Sequence, residues 1–380
     1  MKTMKKSYLP ELHWVRAVAI VAVLLVHSTS QTIVLLDKQS LLYPLYNASN
    51  ILFRIGTTTF LFLSAFVLFY SYSGQQISKQ RIRTFYARRG KYILVPYVLF
   101  SMAYYALILL FVVDVQDPLQ TGIVFMKKLF TGKAYAHLYF VFINLQFYLM
   151  FPFILWLVQR RPGWSVHLWW VGLLVQWAFY FLNHHYFHIV YKGSLSLTYM
   201  SYYLIGAFAG LHLDTFRRWL SQAQGWLWGA WAAAGFAHVW IYHQYRVEGQ
   251  AAPMLAFEAA WNSYTLLTAL LLFRLCFRVY PRLTEGVKKW VQHLSACSFG
   301  IYLLHPMILL AYREFVQPGH ILLYHGSILI GFLLAGLGSW LIVTLSFRYL
   351  RVSWMLFGNG PADDGAAKQR NPVWSKSESI

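Results

Sequence analysis

The sequence is poor in cysteine and in charged residues, and these shortages exclude several protein classes. Cys276 and Cys297 are its two cysteines, too few for a disulfide framework or a cysteine-based metal site. Only 12% of the residues are charged, whereas 58% are hydrophobic and the mean hydropathy is +0.47. This composition excludes an ordinary soluble domain.

Acidic residues are scarcer still. The chain has 12 Asp and Glu residues against 32 Lys and Arg residues, so its formal net charge is +20. In a soluble protein such an excess would suggest a nucleic-acid partner. Here the basic residues cluster in the polar breaks between apolar runs, where they orient helices across a membrane. We therefore predict contact with membrane lipids and no nucleic-acid partner.

Long apolar runs determine the predicted architecture. Segments of about 20 apolar residues recur between short polar breaks, which is typical of a polytopic membrane protein. We predict an all-α, multi-pass protein of the cell membrane with a membrane-embedded domain at 1–350 and a polar, disordered cytoplasmic tail at 351–380. About ten spans are expected, near 14–36, 47–72, 92–113, 138–158, 166–186, 195–213, 225–244, 254–276, 296–315 and 322–347.

Successive connections between the predicted spans alternate between a high and a low content of basic residues. Connections after even-numbered spans are rich in Lys and Arg, and those after odd-numbered spans carry little net basic charge. By the positive-inside rule this alternation places both termini in the cytoplasm. The connection at 114–137 is an exception, because it should be external and yet contains three lysines. In 281–293, apolar residues at helical spacing lie opposite Lys288 and Lys289, which predicts an interfacial helix on the cytoplasmic leaflet.

The first span contains two ionisable residues, Arg16 and His27, eleven positions apart. In an α-helix they share one stripe and lie about 16 Å apart along the axis. The predicted orientation puts Arg16 at the cytoplasmic boundary and His27 past mid-depth. An imidazole there is suited to act as a general base, and a guanidinium is suited to bind phosphate. The alternative is an arginine that snorkels and a histidine that only packs.

Five short motifs follow one another along the chain. They are RAVAIVAVLLVH at 16–27, FLFLSAFVL at 60–68, FYARRGKYILVPY at 85–97, AHLYFVFINLQFYLMFP at 136–152 and SFGIYLLHP at 298–306. In this order they resemble the motifs of the acyltransferase-3 family of integral membrane O-acyltransferases. The resemblance covers residues 8–350. The residues of the fourth motif are similar to those of the branch that acylates exopolysaccharides, which includes the polysaccharide intercellular adhesin proteins.

The resemblance implies an enzyme that moves an acetyl or other short acyl group from cytoplasmic acyl-CoA to a hydroxyl of an extracytoplasmic glycan or glycolipid. Acetyl-CoA is the expected co-substrate, and no metal is expected. By resemblance, His27 is the catalytic base and Arg16 contacts the donor. The basic segment expected to receive the CoA phosphates consists of Arg88, Arg89 and Lys91. This chain departs from the family pattern at Lys91, where a second arginine is common, and at Ala65, where glycine is common.

Further candidates for contact with the acceptor are His137, Tyr139, Glu258, Tyr302 and His305. Each has a simpler alternative. Interfacial aromatic residues are common, Glu258 could pair with Arg246 or with a histidine, and His305 with the next proline could shape a helix end.

A second class of function stays open at this point, namely a transporter that exports a polysaccharide or a lipid-linked sugar without acyl transfer. Paired ionisable residues inside spans also mark transport paths. Secondary transporters often contain inverted repeats, and we find no such repeat in this sequence. The sequence therefore favours the enzyme.

Overall fold

The computed structural model describes residues 7–111, 117–251, 253–316 and 321–361, and this part of the chain consists of helices and their connections, without strands. The α-helices, in chain order, are α1 Leu12–Leu35, α2 Tyr43–Leu52, α3 Gly56–Tyr72, α4 Lys79–Arg89, α5 Val95–Phe111, α6 Pro118–Leu129, α7 Tyr139–Arg160, α8 Leu168–Leu182, α9 Met200–Leu211, α10 Leu213–Gln222, α11 Gln224–Arg246, α12 Met254–Val279, α13 Glu285–Phe315, α14 Ile321–Leu333, α15 Ser339–Tyr349 and α16 Ser353–Phe357. Single π-helical turns at Gly90–Leu94 and Leu334–Gly338 join α4 to α5 and α14 to α15.

Eight helical stretches of the described chain are long and apolar enough to cross a membrane. They are Leu12–Leu35, Tyr43–Tyr72, Lys79–Phe111, Tyr139–Arg160, Pro162–Phe187, Met254–Arg282, Glu285–Phe315 and Leu323–Tyr349. Each overlaps one predicted span, although Lys79–Phe111 and Glu285–Phe315 begin well before the spans predicted at 92–113 and 296–315. In lipid the backbone must satisfy its own hydrogen bonds, so such apolar runs become helices. The prediction of an all-α, multi-pass membrane protein is therefore confirmed.

The remaining two predicted spans, 195–213 and 225–244, are also helical. The first is α9, whose 12 residues extend about 18 Å, short of a hydrocarbon core of about 30 Å. The second is α11. It has 23 residues but is less apolar than the eight stretches named above. The count of ten spans and the cytoplasmic location of both termini stay predictions.

The chain forms two compact units. The first consists of Met1–Tyr8, Leu61–Leu213 and Leu345–Ile380, and the second consists of Leu9–Phe60 and Asp214–Thr344. Within the first unit, the short helix α16 packs its Trp354 against Tyr92 and its Phe357 against Phe100. Folded structure thus continues beyond the domain boundary predicted at residue 350. Residues 362–380 lie outside the described residues, so the disordered tail stays a prediction there.

In the first unit, α9 packs closely on α3. Gly206 and Gly210 are one turn apart, and a Cβ atom at these positions would lie 2.4 Å from the Phe62 carbonyl oxygen and 2.5 Å from the Phe66 carbonyl oxygen. Small residues at this spacing let two membrane helices touch through their backbones. Further along this interior, the rings of Tyr203 and Phe147 stack at 4.0 Å.

The prediction of a separate interfacial helix at 281–293 is wrong. Glu285 begins α13, a helix of 31 residues that runs to Phe315. Val291 and Leu294 of the apolar stripe are buried, whereas Val287 nearer the helix start is exposed. The stripe continues into the span, so the amphipathic pattern marks the start of a long helix. Helix α10 has the pattern expected of an interfacial helix instead, with Phe216 and Leu220 buried and the intervening residues exposed.

In the second unit, α1 and α13 run parallel to each other. His13 Nδ1 lies 2.8 Å from Ser295 Oγ, and the rings of His27 and His305 are in contact further along both helices. Because both residue numbers rise together, the two helices have the same direction. This pairing joins the first and last motifs of the sequence.

Candidate functional site

The rings of His27 and His305 lie edge to face, with centroids 4.9 Å apart and an interplanar angle of 67°. His305 is fully buried, and its Nδ1–H donates to the carbonyl oxygen of Ile301 at 2.9 Å. His27 is partly exposed. Tyr302 packs beside His305, with ring centroids 6.0 Å apart. Three predicted site residues from opposite ends of the chain are therefore neighbours.

A guanidinium group lies directly against the turn that carries His27. Arg313, near the end of α13, donates from Nη2 to the His27 carbonyl oxygen at 2.6 Å. The preceding carbonyl of α1, that of Val26, accepts from Asn50 Nδ2 at 2.9 Å. Side chains from two other helices thus bind consecutive carbonyls of α1, which holds the His27 turn in a defined place.

The same network extends to a second arginine. Arg54 donates from Nη2 to Asn50 Oδ1 and from Nη1 to the Tyr242 hydroxyl, both at 2.7 Å. These bonds connect α1, the α2–α3 segment and α11 around His27. Sequence reasoning missed Asn50, Arg54 and Arg313. Arg54 could have been found, because it is an ionisable residue inside a predicted span, whereas Arg313 lies at the end of one, where basic residues are common.

Arg16 lies on the same helix as His27. Because α1 is continuous from Leu12 to Leu35, the two residues keep the predicted separation of about 16 Å along the axis. Arg16 is partly buried. One turn earlier, His13 is bonded to Ser295, so this end of α1 is also attached to α13.

The basic segment belongs to the first unit and lies at the end of α4 and in the π-helical turn that follows it. Ser78 caps the start of α4 by accepting from the Arg81 backbone N–H at 3.3 Å. The helix continues through the π-helical turn into α5. The Arg89 guanidinium lies over the rings of Phe85 and Tyr148, at 4.8 and 5.0 Å from their centroids.

The two remaining cations of this segment lie on the same stretch. The Lys91 ammonium lies over Trp354 at 4.4 Å and over Tyr92 at 5.2 Å. Arg88 is partly exposed. Three cations thus follow one another within four residues, and aromatic rings hold Arg89 and Lys91 in place.

The predicted acceptor residues lie in both units. His137 is 1% exposed and is enclosed by Tyr104 and Tyr135, with ring centroids 5.0 and 5.7 Å away. Tyr139 begins α7 and is partly exposed. In the second unit, Glu258 is buried in the first turns of α12, where its Oε2 accepts from Asn262 Nδ2 at 3.3 Å. His137 is thus buried in this structure, although the sequence makes it a candidate for contact with the acceptor.

A pocket of about 390 Å³ lies one turn beyond His27, between α1, α13 and α14 of the second unit. Arg313, which binds the His27 carbonyl, forms part of its wall. Among the residues that the structure describes, no three His, Cys, Asp or Glu side chains are grouped so as to hold a metal ion. The described arrangement therefore consists of an imidazole pair, arginines and a pocket with a mixed polar and apolar lining.

Comparisons with known proteins assign the chain to a family. The family model described as "Acyltransferase domain", of the acyltransferase-3 family, matches residues 9–346. A protein of Staphylococcus aureus strain MRSA252, named "Probable poly-beta-1,6-N-acetyl-D-glucosamine export protein", is 24% identical over 319 residues, which cover 80% of this chain and 83% of that protein. The protein of the same name from strain N315 is 24% identical over 322 residues, with the same coverage. No solved structure matches the chain. Because the family model spans nearly all of the membrane-embedded sequence, the chain belongs to the acyltransferase-3 family and is a multi-pass membrane acyltransferase.

Proposed function

We propose that the protein transfers a short acyl group, in the simplest case acetyl, from cytoplasmic acyl-CoA to a hydroxyl of an extracytoplasmic glycan. The observation that carries this proposal is the contact between the rings of His27, a partly exposed residue, and His305, a buried one. A base must be held in a fixed orientation and still be reached by its substrate. Edge-to-face packing on His305 provides the first property, and partial exposure is needed for the second.

His27 acts as the general base. Its imidazole takes the proton of the acceptor hydroxyl while the hydroxyl oxygen attacks the thioester carbonyl carbon. The resulting tetrahedral oxyanion collapses, the carbon–sulfur bond breaks, and CoA leaves as a thiolate that takes up a proton. No acyl-enzyme intermediate is needed. His305 and Arg313 are positioning residues for His27, since one contacts its ring and the other its carbonyl.

The donor site rests on charge. The pyrophosphate and ribose phosphate of CoA are anionic, and guanidinium and ammonium groups are the side chains that bind such groups. Three cations lie within four residues of the chain, namely Arg88, Arg89 and Lys91. Arg16 is a fourth candidate for contact with the donor. Aromatic packing restricts Arg89 and Lys91, so less conformational entropy is lost when a phosphate binds.

The acceptor class rests on the relatives. Their printed names concern a β-1,6-linked polymer of N-acetylglucosamine, so a surface exopolysaccharide of amino sugars is the proposed acceptor. The same names favour a second candidate, export of such a polymer. The two functions differ in whether an acyl group becomes covalently attached to the glycan.

The decisive experiment measures acyl transfer directly. Purified protein in lipid nanodiscs receives radiolabelled acetyl-CoA and a β-1,6-linked N-acetylglucosamine oligosaccharide. We expect label in the oligosaccharide, and we expect His27→Ala to lower the rate by about 10²–10⁴-fold, the usual contribution of a general base. The control is His185→Ala, which removes an exposed histidine of the other unit.

Two results would contradict the proposal. If His27→Ala transfers label at the wild-type rate, His27 is not the base. If wild-type protein attaches no label to the oligosaccharide, yet cells need the protein to export the polymer, the exporter is the better description.

A further inference from the structure

The pocket beyond His27 has the size and the lining of a ligand site. Its volume of about 390 Å³ falls within the range of small-molecule pockets. Polar groups converge on it from three helices. The lining residues are Ser28, Gln31, Thr32, Leu35, Leu309, Tyr312, Arg313, Val316, Tyr324, Ser327, Ile328 and Gly331.

The polar groups of this lining are mostly neutral. Hydroxyls and one amide predominate, Arg313 is the one charged side chain, and no carboxylate is among the lining residues described. Arg313 already donates to the His27 carbonyl. A cationic ligand would find no counter-charge here, and an acyl chain would leave the buried Tyr324 hydroxyl without a partner. The lining therefore suits an uncharged ligand with many hydroxyl groups.

Two tyrosines give this pocket its shape. The Tyr312 hydroxyl donates to the Ser327 carbonyl at 3.0 Å, and the Tyr312 ring packs over Gly331, where a Cβ atom would lie 3.1 Å from it. The Tyr324 hydroxyl is buried and has no hydrogen-bond partner among the described residues. A buried polar group without a partner costs free energy, and a ligand hydroxyl would relieve that cost. Tyrosine rings also offer flat apolar faces with a polar end.

The pocket also has a defined place relative to His27. Gln31 lies one helical turn after His27 on the same face of α1, and Ser28 follows His27 directly. The pocket is therefore displaced from the imidazole toward the C-terminal end of α1, the end predicted to face outward. A ligand in the pocket would be a neighbour of the group that reacts at His27.

We propose that this pocket is a glycan subsite that binds one uncharged sugar ring of the acceptor next to the sugar that is acylated. The inference rests on the proposed function and adds that the acceptor is an oligomer recognised by more than its reacting sugar. Gln31 and Tyr324 bind hydroxyl groups of the neighbouring ring, and the face of Tyr312 packs on it.

The test compares acceptors of two lengths. Gln31→Ala and Tyr324→Phe are assayed with the monosaccharide N-acetylglucosamine and with its β-1,6-linked tetrasaccharide. Each variant loses about one hydrogen bond, so we expect the KM for the tetrasaccharide to rise about threefold to tenfold. The KM for the monosaccharide, which reaches only His27, and the KM for acetyl-CoA should stay unchanged.

Matched controls are Gln222→Ala and Tyr349→Phe, which alter exposed residues elsewhere. Binding of the tetrasaccharide to the His27→Ala protein, with and without Tyr324→Phe, gives a second readout that does not need turnover. An unchanged KM for the tetrasaccharide in both variants overturns the subsite. Equal losses with both acceptor lengths also overturn it, because they indicate general damage. Loss of transfer in His27→Ala together with unaffected pocket variants refutes only the subsite and leaves the proposed function standing.

Discussion

The backbone contact between α9 and α3 predicts opposite effects for the same substitution at different glycines. A Cβ atom at Gly206 would lie 2.4 Å from the Phe62 carbonyl oxygen, whereas ordinary contacts begin near 3.4 Å. Gly206→Ala must therefore move α9 away from α3 by about 1 Å or rotate it. Overpacking of this kind typically costs about 1–3 kcal/mol.

The control is Gly229→Ala on α11, where a Cβ atom meets nothing within 4 Å. There alanine should stabilise the helix by up to about 1 kcal/mol, since glycine has the poorer helix propensity. The midpoint of thermal unfolding in detergent should thus fall for Gly206→Ala and stay the same or rise for Gly229→Ala. If Gly206→Ala is as stable as Gly229→Ala, the close approach of the two helices is refuted.

The glycine contact also accounts for one departure from the family pattern. The second motif has Ala65 where glycine is common, and Ala65 is fully buried. Its Cβ atom would lie 3.1 Å from a Cβ atom at Gly206. The small residue that close helix packing needs is therefore present on the facing helix. In Gly206→Ala, both sides of the contact would carry a methyl group, and neither helix would present the glycine that the close approach needs.

Two further predictions concern the cations. Arg54→Gln removes charge-assisted bonds to Asn50 and Tyr242, and such bonds typically contribute about 1.5–3 kcal/mol each. The midpoint of thermal unfolding and the kcat of acyl transfer should therefore both fall. If both stay unchanged, the network does not position His27. Arg88→Ala should raise the KM for acetyl-CoA severalfold and leave the KM for the glycan unchanged. The increase should be larger at low salt than at high salt, because salt screens the attraction between a guanidinium and a phosphate. An increase that does not depend on salt would argue against phosphate binding.

The sequence alone predicted the helices well, because lipid leaves the chain little choice. A backbone that crosses hydrocarbon must satisfy its hydrogen bonds internally, so each apolar run of sufficient length had to become a helix. The ionisable residues inside those runs pointed to His27 and Glu258, since burying them in lipid is costly, whereas the resemblance to a family motif pointed to His305. Where local pattern was the only guide, the prediction failed, as at 281–293, because an amphipathic start looks the same in a separate helix and in a long one.

What surrounds His27 was decided by tertiary packing. The pattern of apolar residues specifies that α1 and α13 are helices, but it does not specify that they are parallel neighbours. Residues 27 and 305 come into contact only because side chains far apart in sequence fit each other. Asn50 and Arg313 bind carbonyls of α1 for the same reason. Periodicity reports how each helix meets lipid, whereas the site depends on how helices meet one another, and that is a property of shape and hydrogen-bond geometry in three dimensions.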